Sequence, residues 1–180
     1  MSTPIIDLTI PASNGLARGI TTGSCATAAA KSALNFLIFK SQRKQIEIDL
    51  PSGENLRVPI NFCRRTEQGA IAQVTKDAGD DPDVTDKCKV EVEVTPNKKK
   101  NGIHFYAGEG VGTVTEEGLQ IPKGEPAINP IPRKMIRQNL EHILNDPATP
   151  EYWKNCGLNV VISVPGGEKK IGRASCRERV

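Results

Sequence analysis

The sequence predicts an α+β fold, a mixed or antiparallel sheet carrying two main helices. Three observations predict it. A helical pattern spans Thr22 to Phe39, at least five period-two segments follow it without another helix, and a second helical stretch and an apolar strand come last. A doubly wound nucleotide-binding fold needs regular βαβ alternation, and that order is missing.

Taken in order, Pro4 to Ile10 is short and apolar, a first strand. Thr21, Thr22 and Ser24 offer capping oxygens where the helix starts, and Ala26 to Ala33 is rich in the strongest helix former. Ala29, Ala33, Phe36 and Leu37 recur at helical spacing. Beyond Lys44 the period changes to two. Ile46, Ile48 and Leu50, a turn at Pro51-Ser52-Gly53-Glu54, then Leu56, Val58 and Ile60 read as a hairpin over 45–62. Further strands are expected at Ala70–Thr75, Lys87–Thr95, Ile103–Ala107 and Gly110–Thr115, with Lys98-Lys99-Lys100 at a solvated hairpin tip. Prolines 130, 132 and 147 bracket a helix from about Arg133 to Leu144. Leu158–Val164 is a buried-type strand ending at Pro165-Gly166-Gly167.

A 180-residue chain buries roughly 70% of its unfolded surface, so a core needs no disulfide staples. Aromatics are only 4%, so that core must be Val, Ile, Leu and Ala, and stacking on nucleic-acid bases has little to work with. Of the formal charge of +3, +2 sits in the last nine residues, which removes the case for a nucleic-acid footprint. Five cysteines without a CxxC pair and two histidines argue against a metal cage and against a redox motif. No run of 18 apolar residues and no N-terminal h-region occur, so the expectation is a reduced, cytoplasmic protein with no membrane span.

Four segments can carry chemistry. Thr21-Thr22-Gly23-Ser24-Cys25 places hydroxyls and free N–H groups at a helix start, with Arg18 upstream: an anion site, or an ordinary capped helix. Lys76-Asp77-Ala78-Gly79-Asp80-Asp81-Pro82-Asp83 packs four carboxylates and a lysine into eight residues. It fails the calcium-loop pattern, and it is either a solvated turn or a loop that holds a cationic group. Gly108-Glu109-Gly110-Val111-Gly112 opens no helix as a dinucleotide fingerprint would, so a tight turn or bulge is the plainer reading. Gly124-Glu125-Pro126-Ala127-Ile128-Asn129-Pro130-Ile131-Pro132-Arg133 delivers an extended segment into the second helix, where Arg133 and Arg137 lie one turn apart. Cys25 is either a helix-activated thiol or a small packing residue.

Together and in this order, Arg18 to Ala26, Lys76 to Thr85, Gly108 to Thr115, and Gly124 to Pro130 with Pro132-Arg133 and Met135-Ile136 resemble the CbiD family. The likeness runs from about Gly15 to Gly167. These are the cobalt-precorrin-5B C1-methyltransferases of the anaerobic corrin pathway. The resemblance implies methyl transfer from S-adenosylmethionine to C1 of cobalt-precorrin-5B, giving cobalt-precorrin-6A. Alignment of donor and acceptor dominates such a step. On that basis Asp77, Asp80 and Asp81 are the candidate catalytic carboxylates, near the sulfonium or a shifting proton. Arg18, Thr21, Thr22, Gly23, Ser24, Lys76, Glu109, Gly110 and Arg133 are the candidate substrate-binding residues, and no metal ligands are assigned.

The family resembles a two-domain build, an α+β domain followed by a smaller α/β domain. Residues 1–165 are expected to form the first, 166–171 to begin the link, and 172–180 to be a non-native tail that resembles a translated sequencing adapter. The strand at Leu158–Val164 is accordingly expected to lose its pairing partner with the second domain. The alternative to an enzyme fragment that is inactive alone is a non-catalytic α+β binding module.

Overall fold

The long helix α1, Thr22–Phe39, starts and stops where local chemistry dictates. Thr21 Oγ1 accepts the Ser24 N–H at 3.1 Å, and Lys40 closes the helix in the left-handed region at φ 55°. Its alanines matter as much as its caps. Ala28, Ala29, Ala30 and Ala33 are all fully buried, so the helix backbone lies close against its neighbours.

In a computed structural model that describes residues 4–115 and 121–167, α1 is the hub of the molecule. It packs against β2 of a small sheet made of β1 (Ile5–Ile6), β3 (Asn55–Pro59) and β2 (Gln45–Asp49), in that spatial order. It also packs against the first three strands of a five-stranded sheet in the order β4 (Phe62–Arg65), β5 (Ala70–Thr75), β6 (Lys89–Asn97), β8 (Gly157–Ser163) and β7 (Ile103–Ala107). Helix α2, Pro130–Leu144, packs along α1, and a single turn, α3 (Glu151–Lys154), leads into β8. Among the described residues no helix is long and apolar enough to cross a membrane.

The core is aliphatic. Val90, Val92 and Val94 of β6 and Leu158 and Val160 of β8 are fully buried, while Lys89 stands exposed and Glu91 and Glu93 half-exposed on the alternate face of β6. Asn139 of α2, also fully buried, ties three elements together. Its amide oxygen accepts from Lys31 Nζ at 3.1 Å and from the Asp49 N–H at 2.9 Å. Its amide nitrogen donates to the carbonyls of Asp49 and Met135, both at 3.0 Å. Burial pushes the Lys31 ammonium down, against the pull of Asp49.

The α+β class, the hairpin of β2 and β3, the limits of α1, β5 and β7, and the helix before Leu144 are all found. Five expectations are corrected. The first strand shrinks to two residues, because Asp7 turns the chain by accepting from the N–H and hydroxyl of Thr9. Residues 110–115 give only an isolated bridge, Thr113 to Pro126. A fourth strand, β4, appears where the hairpin was expected to end. Helix α2 begins at Pro130, whose fixed φ suits a first helical position.

The fifth correction concerns β8. β6 and β7 are not a hairpin: β8 lies between them, antiparallel to β6 and parallel to β7. Lys98–Lys100 is thus an exposed turn between non-neighbours. The strand expected to lack a partner is paired along both edges. The reading of 172–180 as a tail falls outside the described residues, as does most of the link at 166–171.

Candidate functional site

Two loops meet in front of α1. The approach 15–21 lies against the acidic loop 76–83, and two glycines make the contact possible. A Cβ on Gly19 would sit 2.3 Å from the Ala78 carbonyl oxygen, and one on Gly79 (φ 62°) would sit 2.4 Å from that of Ala17. Hydrogen bonds stitch the seam. The Ile20 N–H donates to Asp77 O at 2.6 Å, and the Ala17 N–H donates to Asp80 Oδ2 at 2.8 Å.

The loop holds its four acids by giving most of them a structural partner. Asp77 accepts from the Gly79 N–H and pairs with Lys87 at 2.9 Å, and the Lys87 bond holds its carboxyl below the usual range. Asp80 accepts from Ala17. Asp83 takes the Thr85 N–H at 2.7 Å and its hydroxyl at 2.6 Å, and it pairs with Lys76. Partial burial opposes its ionisation, yet Lys76 and Thr85 together bring its carboxyl down to about 2. Lys76 is 4% exposed, with its ammonium shared between Asp83 and Thr85 Oγ1. Asp81 alone of the four has no side-chain partner among the described residues.

In front of this seam a cleft of about 710 Å³ opens. Thr21, Thr22 and Gly23 form its back, Lys76, Asp80, Asp81 and Asp83 one wall, and Asn129, Ile131, Pro132 and Met135 the other. The Ser24 and Cys25 N–H groups are taken by the side chain and carbonyl of Thr21, which leaves those of Thr22 and Gly23 at the open helix end. Across the Gly19–Thr21 bridge is a second cleft of about 440 Å³, lined by Arg18, Ser24, Ile6, Leu8, Leu50 and Leu56. Gly19, Thr21, Ile131 and Met135 belong to both clefts.

The predicted residues divide accordingly. Thr21, Thr22, Gly23, Lys76, Asp80 and Asp81 meet in the first cleft, and Arg18, Thr21 and Ser24 in the second. Asp77 turns away to Lys87. Glu109 and Gly110 are not brought there: Glu109 O accepts the Val164 N–H at 2.7 Å, and Gly110 (φ 71°) has room for no Cβ beside Val164 O. Arg133 lines neither cleft. Its guanidinium donates to Ile128 O, Pro126 O and Glu125 at 2.9, 2.7 and 3.1 Å and lies over the Phe105 ring, so it braces the segment that carries Asn129 and Ile131.

Cys25 is fully buried behind Ser24, and burial, then the neighbouring Cys88 thiol, push its thiol up to about 12 despite Lys76. It is a packing residue, neutral at physiological pH. The apolar wall of Ile6, Leu8, Leu50 and Leu56 was missed, because in sequence it reads only as strand alternation. Among the described residues no group of His, Cys, Asp or Glu is arranged to hold a metal ion.

The family model for CbiD matches residues 10–179. The chain belongs to the CbiD family. A Pseudomonas fluorescens relative named cobalt-precorrin-5B C(1)-methyltransferase is 46% identical over 154 residues, covering 84% of this chain and 40% of the relative. One of the same name from Prosthecochloris aestuarii is 44% identical over 167 residues, 92% of this chain and 44% of its own length. The crystal structure of the cobalamin biosynthesis protein cbiD from Archaeoglobus fulgidus superposes with a TM-score of 0.63 at 29% identity, over 88% of this chain and 47% of that one. The chain thus spans less than half the length of the family members it matches.

Proposed function

We propose that this chain is part of a methyltransferase that moves the methyl group of S-adenosylmethionine to C1 of cobalt-precorrin-5B, giving cobalt-precorrin-6A, in the cytoplasm. Family membership carries the reading, and the first cleft supports it. The donor molecule has a cationic sulfonium and ammonium at one end and a carboxylate beside them. The cleft offers the matching pair: the unpartnered Asp81 on one wall and the open N–H groups of Thr22 and Gly23 at its back. In the transfer a carbon–methyl bond forms as the sulfur–methyl bond breaks, the sulfonium becomes a neutral thioether, and C1 supplies the electron pair.

Of the three carboxylates proposed to assist, Asp81, which lines the cleft, is our candidate to face the donor, while Asp77 and Asp80 shape the loop that presents it. Lys76 acts through Asp83 in the same way. What the protein must supply is alignment, which is what a wall pinned by Arg133 and a back fixed by a capped helix provide.

The test is to incubate the purified product of the whole reading frame that encodes this chain with cobalt-precorrin-5B and methyl-labelled S-adenosylmethionine. Label in the macrocycle is expected, and Asp81→Asn should cut kcat/KM by about tenfold, the order of one lost charge contact. An intact fold with no transfer would overturn the reading. The alternative is a non-catalytic binding module, for which the macrocycle would be retained on the protein in an equilibrium-binding measurement while no label is transferred.

A further inference from the structure

We propose that the second cleft is the seat for one edge of a carboxylated tetrapyrrole, with Arg18 as the contact for a peripheral acetate or propionate. The inference rests on the reading above for the ligand's identity, and on the cleft's own chemistry for its place. The two clefts are opposites. The first has Lys76, Asp80, Asp81 and Asp83 along one wall, and the second has a floor of apolar side chains drawn from four parts of the fold: Ile6 and Leu8 at the N-terminus, Leu50 after β2, Leu56 of β3 and Met135 of α2. Its one charged group is Arg18, which is exposed and makes no hydrogen bond or ion pair among the described residues.

A flat molecule with apolar faces and a carboxylate rim matches that combination. An uncharged apolar ligand would leave the guanidinium unused, and a compact anion would leave the floor unused. Size limits what enters. About 440 Å³ cannot enclose a macrocycle with all its side chains, so one edge inserts and the rest projects. Ile131, 68% exposed, stands at the mouth that both clefts share and would lie against the ring. An edge seated here lies next to the first cleft, since Gly19, Thr21, Ile131 and Met135 line both.

Fluorescence anisotropy of uroporphyrin III, a tetrapyrrole edged with acetates and propionates, titrated with the 180-residue chain tests the site directly. Arg18→Glu and Ile131→Asp should each raise Kd by about fivefold or more, the size of a rim contact turned unfavourable. Neither is expected to unfold the protein. Arg18 has no partner to lose, and α2 has no acid in its first turn, where one is favourable. Arg64→Glu, on β4 and in neither cleft, makes the same charge change and should leave Kd within twofold.

Equal weakening by Arg64→Glu, or no saturable binding by the unaltered chain, overturns the site. Concentration-dependent dimerisation that Ile131→Asp abolishes, without porphyrin binding, would assign the cleft to a second copy instead. If the methyl-transfer assay succeeds but Arg18→Glu leaves KM for cobalt-precorrin-5B unchanged, this inference fails while the functional reading stands. If transfer fails but porphyrin binding depends on Arg18, the reverse holds.

Discussion

At the scale of single residues, the acidic loop shows how four carboxylates coexist in seven positions. Three have taken structural partners, and Asp81 has no side-chain partner among the described residues. The pair of Lys76 and Asp83 is the anchor, and it has a pH signature. The Asp83 carboxyl is lower in the folded chain, about 2, than its ordinary 3.8. A depressed carboxyl stabilises the fold fully above the ordinary value, and the contribution disappears as pH falls through the folded one. Asp83→Asn should therefore cost about 2–3 kcal/mol at pH 7, because it leaves the Lys76 ammonium buried without its counter-charge. The gap from the unaltered protein should narrow between about pH 4 and pH 2. Urea unfolding at several pH values measures it, and a gap that is constant with pH would remove the ion pair from the account.

Cys25 tests the same physics from the other side. A thiol raised to about 12 and shut from solvent should be alkylated only as fast as the protein opens. Among the cysteines of the described residues, the half-buried Cys156 should react first, and the buried Cys25, Cys63 and Cys88 should lag together. Mass mapping after brief iodoacetamide treatment at pH 8 decides this. Early labelling of Cys25 would restore it as a candidate nucleophile.

At the scale of elements, the sequence resolves what is encoded locally and misses what is not. Helix α1 is found because its signals are adjacent: capping oxygens, a run of alanines and apolar residues at helical spacing; its left-handed stop at Lys40 carries no glycine or asparagine to announce it and shows only in the structure. The first cleft's back and acidic wall are legible for the same reason, since each lies on one contiguous motif. The second cleft is not, because Ile6, Leu8, Leu50 and Leu56 come together only when β1 pairs with β3. Nor is the role of Arg133: two arginines one turn apart look like ligand contacts until the carbonyls of Pro126 and Ile128 fold back onto the first.

The seam between the two loops is likewise a product of folding, and Gly19 is its test. Its φ is not in the left-handed region, so the demand for glycine is purely one of space: a Cβ would meet Ala78 O at 2.3 Å. Gly19→Ala should push the loops apart by a fraction of an ångström to an ångström and cost about 1–3 kcal/mol. The Ile20 amide, bound to Asp77 O at 2.6 Å, should lose hydrogen-exchange protection while amides in β6 keep theirs. Unchanged protection at Ile20 would mean that the seam tolerates the methyl and is not the rigid divider between the clefts.

At the scale of the whole molecule, the position of β8 decides what folds as a unit. Among the described residues, the last strand in sequence is the fourth of five in space, and it is the only partner of β7. It joins β6 across more than sixty residues, through pairs such as Val94 with Val160 and Glu91 with Ser163. The large sheet is thus closed by a long-range event, after the chain has run through both clefts and α2. Without β8, β7 has no neighbour among the described strands, β6 exposes an unpaired edge, and the core loses the buried side chains of Leu158, Val160 and Ile162. A chain ending at Cys156 should consequently show no cooperative thermal transition and should expose apolar surface to dye. Leu158→Ala in the otherwise intact chain should retain one transition, lowered by about 2–5 kcal/mol for a fully buried leucine. Calorimetry of the two variants separates the possibilities. If the shortened chain still melts cooperatively with β2, β3 and α1 protected, the small sheet and central helix fold alone, and the floor of the apolar cleft is formed before the large sheet closes. If it does not, both clefts come into being only when β8 docks, and their geometry belongs to the closed molecule as a whole.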